Sequence, residues 1–140
     1  MQQQAKRDMV LKIAWKYYGT FYTWGGDDPS GFDCSGLVIE ALKSVGCLPR
    51  KGDWTAAALW HKFPIKPANG SAGDLAFWSN MPQGRIIHVE ICVNEDLSIG
   101  ASGGGSKTKT RQDAKRHNAF IKVRPLDSKD NLYGFANPYV

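Results

Sequence analysis

Three cysteines, Cys34, Cys47 and Cys92, are spread over 140 residues, and no two of them form a CxxC pair. An odd number at unpaired spacing argues against a disulfide scaffold and against a structural zinc site. The three histidines, His61, His88 and His117, lack HExxH spacing, so the zinc-peptidase motif is missing as well. No apolar run approaches the roughly 20 residues of a membrane-spanning helix. The opening MQQQAKRDMV has neither a short apolar core nor a small-residue cleavage site. The expectation is a protein made in the cytoplasm without a secretory signal. Internal repeats and linker-like shifts of composition are absent too, which points to a single domain over residues 1–140.

What is present suits a folded domain. Hydrophobic residues make up 42% and charged residues 22%, the proportions of an ordinary globular chain rather than a disordered tail. The net charge of +5 favours anionic partners such as a cell-wall polymer. Its one dense cluster, KTKTRQDAKRH at 107–117, reads as a solvated loop. No nucleic-acid motif accompanies it, so nucleic acid is not an expected partner. The stretch SGGGSKT at 102–108 fails the GxxxxGK[ST] pattern, because Ser106 follows Gly105 and Lys107 comes one place late. Without a helix after it, it is a glycine loop and not a phosphate cradle.

Periodicity changes once along the chain. Val10, Ile13, Ala14 and Tyr17 recur at helical spacing between Asp8 and Tyr18, and Gly19 suits a left-handed cap. The turn-rich TWGGDDPSGF (23–32) follows as a loop. Leu37, Val38, Ala41, Leu42 and Val45 then form a second helical stripe, with Asp33 as N-cap and Gly46 as stop. A third helix is expected in TAAALWHKF (55–63), started by Asp53 or Thr55. Alternating segments follow at 73–78, 86–94, 97–102, 119–125 and 132–138. Helices first and strands afterwards predict an α+β domain, its helices packed on one face of an antiparallel sheet of about five strands.

That assignment puts Cys34 in the first turn of the second helix, where free N–H groups and the helix dipole favour a thiolate. Cys47 and Cys92 read as core cysteines. A cysteine nucleophile needs a histidine base and a group to orient it. His61 lies in a helical pattern and His117 in the basic loop, whereas His88 lies within a strand. On that strand Ile87, Val89, Ile91 and Val93 are expected to share one face, and Ile86, His88, Glu90 and Cys92 the other. A nucleophile at a helix start facing a histidine on a sheet is the papain-type arrangement.

The segment FYTWGGDDPSGFDCSGLV (21–38) resembles the signature of NlpC-type cell-wall peptidases, a group of small papain-like cysteine enzymes, and GDLAFW (73–78) and HVEICV (88–93) resemble their next two blocks. The resemblance implies a papain-like NlpC-type fold and hydrolysis of peptidoglycan stem peptides at the D-γ-glutamyl–diamino acid bond, with no cofactor and no metal. It implies Cys34 as nucleophile and His88 as base, then acid. Asp33 and Ser35 match positions that hold the stem's free amine, and Tyr22 matches a tyrosine lining the site; Trp24 reads as core packing. Delivery by a phage particle or a secretion machine would bring such a protein to the wall. Alternatively it would act on imported wall fragments in the cytoplasm.

One position departs from the pattern. The third catalytic residue of the family, commonly histidine, lies about twelve places after the base, and here that place is Gly100. Glu90, roughly 6–7 Å along the strand from His88, is the expected replacement. Ser102 or a polar group of the 103–118 loop is a second reading, and a dyad alone or a decayed site is a third. An inactive wall-binding or assembly module of the same fold, or a related amidase or acyltransferase, remains open beside the peptidase.

Overall fold

A computed structural model of the chain describes residues 2–21, 27–28, 31–32, 34–102, 112 and 119–139. Helix α1 is Gln3–Lys16, α2 is Cys34–Ser44 and α3 is Ala56–Lys62. The first starts five residues before the expected Asp8, because Gln3, Gln4, Ala5, Lys6 and Arg7 are good helix formers whose polarity hides them from a periodicity search. It buries Val10 and Ala14. Gly19 closes the following turn at φ +86°. For α3, the start falls to Thr55, whose Oγ1 accepts from the Ala58 N–H at 3.1 Å, while Asp53 bonds only the neighbouring Trp54 N–H.

Two short strands, β1 (Asp27–Asp28) and β2 (Gly31–Phe32), pair as a hairpin inside the segment expected to be loop. The main sheet comprises β3 (Leu75–Ser79), β4 (Ile86–Cys92), β5 (Leu97–Ser102), β6 (Phe120–Pro125) and β7 (Leu132–Ala136). Its order is β6-β5-β4-β3-β7, every pair antiparallel. The α+β class and the five-stranded antiparallel sheet therefore stand as expected.

The sheet has two unequal faces. Leu37, Leu42, Leu59, Phe77, Val89 and Ile91 belong to the large core between helices and sheet. Ala76, Trp78, Cys92, Leu126 and Phe135 form a smaller cluster. Because β6 and β7 lie at opposite edges, their link must span four strand spacings, roughly 19 Å. Leu126 opens that link with a buried side chain and an N–H bonded to the Asp96 carbonyl. A 3-10 turn covers Leu126–Ser128, and at the far end the Asn131 carbonyl accepts from the Ser79 N–H at 3.0 Å. The other end of the sheet is also covered. Phe21 bridges to Phe120, the Gly19 N–H bonds the Ile121 carbonyl and the Ile121 N–H bonds the Thr20 carbonyl, so residues 19–21 run along the outer edge of β6.

One irregularity bears on the site. Trp78 pairs with His88 but Ser79 pairs with Ile86, so Ile87 is an extra residue on β4. The bulge breaks the expected alternation. Ile86 turns into the helix-side core, and Ile87, expected beside Val89 and Ile91, is 49% exposed. Bulges of this kind re-aim backbone groups beside functional sites.

Leu37, wholly buried on the inward face of α2, ties that helix to the sheet. Leu37→Ala is expected to lower stability by about 2–5 kcal/mol, measured as a reduced urea midpoint at unchanged slope.

Candidate active site

Cys34 is the first residue of α2 and is half-buried. Its Sγ lies 4.0 Å from the carbonyl oxygen of Ile87, the bulged residue. The bulge thus turns the strand's backbone toward the helix start, immediately before His88. The imidazole of His88 is nearly enclosed, with 13% of its side chain exposed. Trp78, opposite it on β3, stands beside the ring at 5.4 Å between centroids.

Glu90 is 1% exposed. Its Oε2 lies 2.5 Å from His88 Nε2, and its Oε1 accepts from the Ser98 hydroxyl at 2.8 Å. The Arg124 Nη2 stands 3.9 Å from Oε2. With Nε2 donated to the carboxylate, Nδ1 is the ring nitrogen left for Cys34. This is the order of a papain-type site: thiol, imidazole, orienting acceptor.

The charges follow the geometry. Burial pushes the His88 ring down, but hydrogen bonds to the Cys34 thiol and the Glu90 carboxylate, with the charges of both, outweigh it and raise the ring to about 9. Burial pushes Glu90 up, yet the hydrogen bond and charge of His88, the Ser98 hydroxyl and Arg124 together hold it below its ordinary value. An imidazolium–carboxylate pair is therefore the stable form of this couple near neutrality. Lys122 and Lys129 are both pushed down, first by burial and then by Arg124. By contrast Cys92 is pushed up to about 12 by burial and the nearby Asp74 and Glu90, and burial raises Cys47 as well. Neither belongs to the site.

Of the residues expected at the site, Cys34, His88 and Glu90 converge. Ser35 follows Cys34 in the first turn of α2. Tyr22, Trp24, Asp33, His117, the side chain of Ser102 and the 103–118 loop apart from Gln112 lie outside the described residues. His61 is exposed at the end of α3 and lines an open groove with Trp60, Arg85, Ile86 and Tyr133. Among the described residues no group of three or more His, Cys, Asp or Glu side chains is placed to hold a metal ion. No helix among them is long and apolar enough to cross a membrane.

Sequence reasoning missed Ser98 and Arg124. A signal existed for Ser98: pairing LSIGAS with IIHVEIC in antiparallel register puts it opposite Cys92, on the same face as Glu90 and diagonal to it. Arg124 required knowledge that β6 joins β5 with Arg124 across from Ser98.

Comparison with known proteins gives the family. Residues 19–124 match the model of the NlpC/P60 family, a span that includes Cys34, His88 and Glu90. The bifunctional muramidase/DL-endopeptidase CwlT of Bacillus subtilis is 37% identical over 101 residues, 70% of this chain and 30% of that protein. The gamma-DL-glutamyl hydrolase of the same species is 36% identical over 147 residues, 93% of this chain and 34% of that one. The chain thus spans about a third of the length of these relatives. The crystal structure of the NlpC/p60 domain of the peptidoglycan hydrolase SagA superposes with a TM-score of 0.66 at 30% identity, covering 94% of this chain and 97% of that domain. With a family match over most of its length, the chain belongs to the NlpC/P60 family.

Proposed function

We propose that this chain is a cysteine endopeptidase that cuts peptidoglycan stem peptides at the D-γ-glutamyl–diamino acid bond. The observation that carries the reading is the Cys34 thiol at a helix start, hydrogen-bonded to His88, whose far nitrogen is held by the buried Glu90. The names of the similar DL-endopeptidase and gamma-DL-glutamyl hydrolase supply the bond type.

In this reading Cys34 Sγ, as thiolate, attacks the γ-carbonyl carbon of D-glutamate. N–H dipoles at the start of α2 face the oxyanion that forms. The C–N bond then breaks, and His88 gives its Nδ1 proton to the departing amine of the diamino acid. Water enters next; neutral His88 removes its proton, and the resulting hydroxide carbon–oxygen bond displaces the thiolate from the thioester. The products are a free γ-carboxyl group and a free amine, and the thiolate–imidazolium pair is restored. Glu90 touches no reacting atom; it holds the ring in the tautomer that presents Nδ1 to the thiol. By the family's motif, Asp33 and Ser35 bind the free amino end of the stem through a charge-assisted hydrogen bond, and Tyr22 lines the approach.

The retained charge also argues against the inert-module alternative. A buried ion pair rarely adds stability over apolar side chains of equal size, and strongly shifted groups gather at functional sites. A fold that had lost its chemistry would have little reason to keep one.

Two outcomes test the proposal. Digestion of purified peptidoglycan, read by mass spectrometry, is expected to release fragments with a new γ-carboxyl end and a new diamino-acid amine. Cys34→Ser should cut that rate by about 10³-fold or more; an unchanged fragment pattern would refute the nucleophile. The second is the pH profile. Turnover needs His88 protonated, and its raised value means the proton is lost as pH climbs through about 9. kcat/KM should therefore fall above that pH, and Glu90→Gln, by removing a charge that raises the ring, should move this alkaline limb toward neutrality.

A further inference from the structure

By the resemblance to the family, Gly100 stands where the third residue is expected, and its backbone φ does not demand glycine. Space does. A Cβ built on Gly100 would stand 2.4 Å from Glu90 Cγ and 3.0 Å from both Glu90 Cβ and Cδ. The register gives the reason. Ile91 pairs with Ile99 and Cys92 with Ser98, so one step further Glu90 comes opposite Gly100. Glu90 cannot yield cheaply, since its carboxylate is bonded to His88 and to Ser98 and its side chain is buried.

We propose that β4 and β5 share one seat for the group that orients His88, and that the seat holds a single side chain. Here Glu90 fills it from β4 because Gly100 leaves it open on β5, and Ser98 with Arg124 fixes the carboxylate there. Gly100, Ser98 and Arg124 are positioning residues that act through Glu90. Ser98 and Arg124 complete the arrangement, because a carboxylate placed there from β4 is buried and must have its second oxygen and its charge satisfied. Ser98 and Arg124 lie across from each other on β5 and β6.

The inference rests on the reading of His88 as the base, but its test needs no turnover. The His88 ring is titrated in the full chain by long-range proton–nitrogen NMR. Loss of a hydrogen bond to a charged group is expected to lower its midpoint by about 1–2 pH units in Glu90→Gln. Gly100→Ala should lower it in the same way, although it removes no polar atom, and Ser98→Ala should lower it less. An unshifted midpoint in Gly100→Ala would overturn the proposal.

The double variant guards against simple misfolding. In a Glu90→Ala background the obstacle is gone, so adding Gly100→Ala should lower neither the titration midpoint nor the melting temperature. A penalty for Gly100→Ala that persists without the Glu90 side chain would mean that the glycine serves something else, and the shared seat would be refuted. If the titrations behave as described while peptidoglycan is left uncut, the peptidase reading fails and the shared seat stands.

Discussion

A carboxylate taken out of water costs several kcal/mol unless other groups replace its hydration, and Glu90 is where this fold meets that cost. Its two oxygens draw on three strands at once: His88 on its own β4, Ser98 on β5, Arg124 on β6. Each must stay in register for the charge to remain tolerable. The buried serine on β5 and the glycine two residues beyond it follow from the same requirement, one as a donor and the other as room. The raised imidazole follows from its hydrogen bonds to Cys34 and Glu90 and from the charges of both.

The remainder of the architecture brings the thiol to this pair and keeps water from the back of it. The buried stripe of α2 fixes the helix on the sheet, so its first residue arrives at the start of β4. There the bulge at Ile87 sets a carbonyl against the thiol. Behind the pair, Trp78 covers one side of the ring, and the link from β6 to β7 adds Leu126 to the same apolar cluster. The dry surroundings strengthen every interaction between these charges.

Much of this was legible in the sequence, for identifiable reasons. Helix periodicity located α2 and so put Cys34 at its start, and alternation placed His88 and Glu90 on one strand face. Alternation failed one residue earlier, at Ile86 and Ile87, because a bulge depends on the partner strand and leaves no mark on its own chain. The front of α1 was missed because its residues are helical by propensity without an apolar period. The β1–β2 hairpin was hidden among turn formers, its strands being too short to alternate. Gly100 was visible as a departure from a family pattern, but what it makes room for depends on which strands are neighbours. Ser98 and Arg124 were silent for the same reason.

The central claim is that Cys34 is held as a nucleophile by His88, and cysteine reactivity tests it most directly. Native protein is treated with a limiting amount of iodoacetamide at neutral pH, and the rate at each cysteine is read by peptide mass. Cys34 is predicted to react far ahead of Cys47 and Cys92, whose thiols are raised by burial, and His88→Ala should slow Cys34 while leaving the other two unchanged. If Cys34 reacts no faster than they do, or if its rate is indifferent to the loss of His88, the account is contradicted.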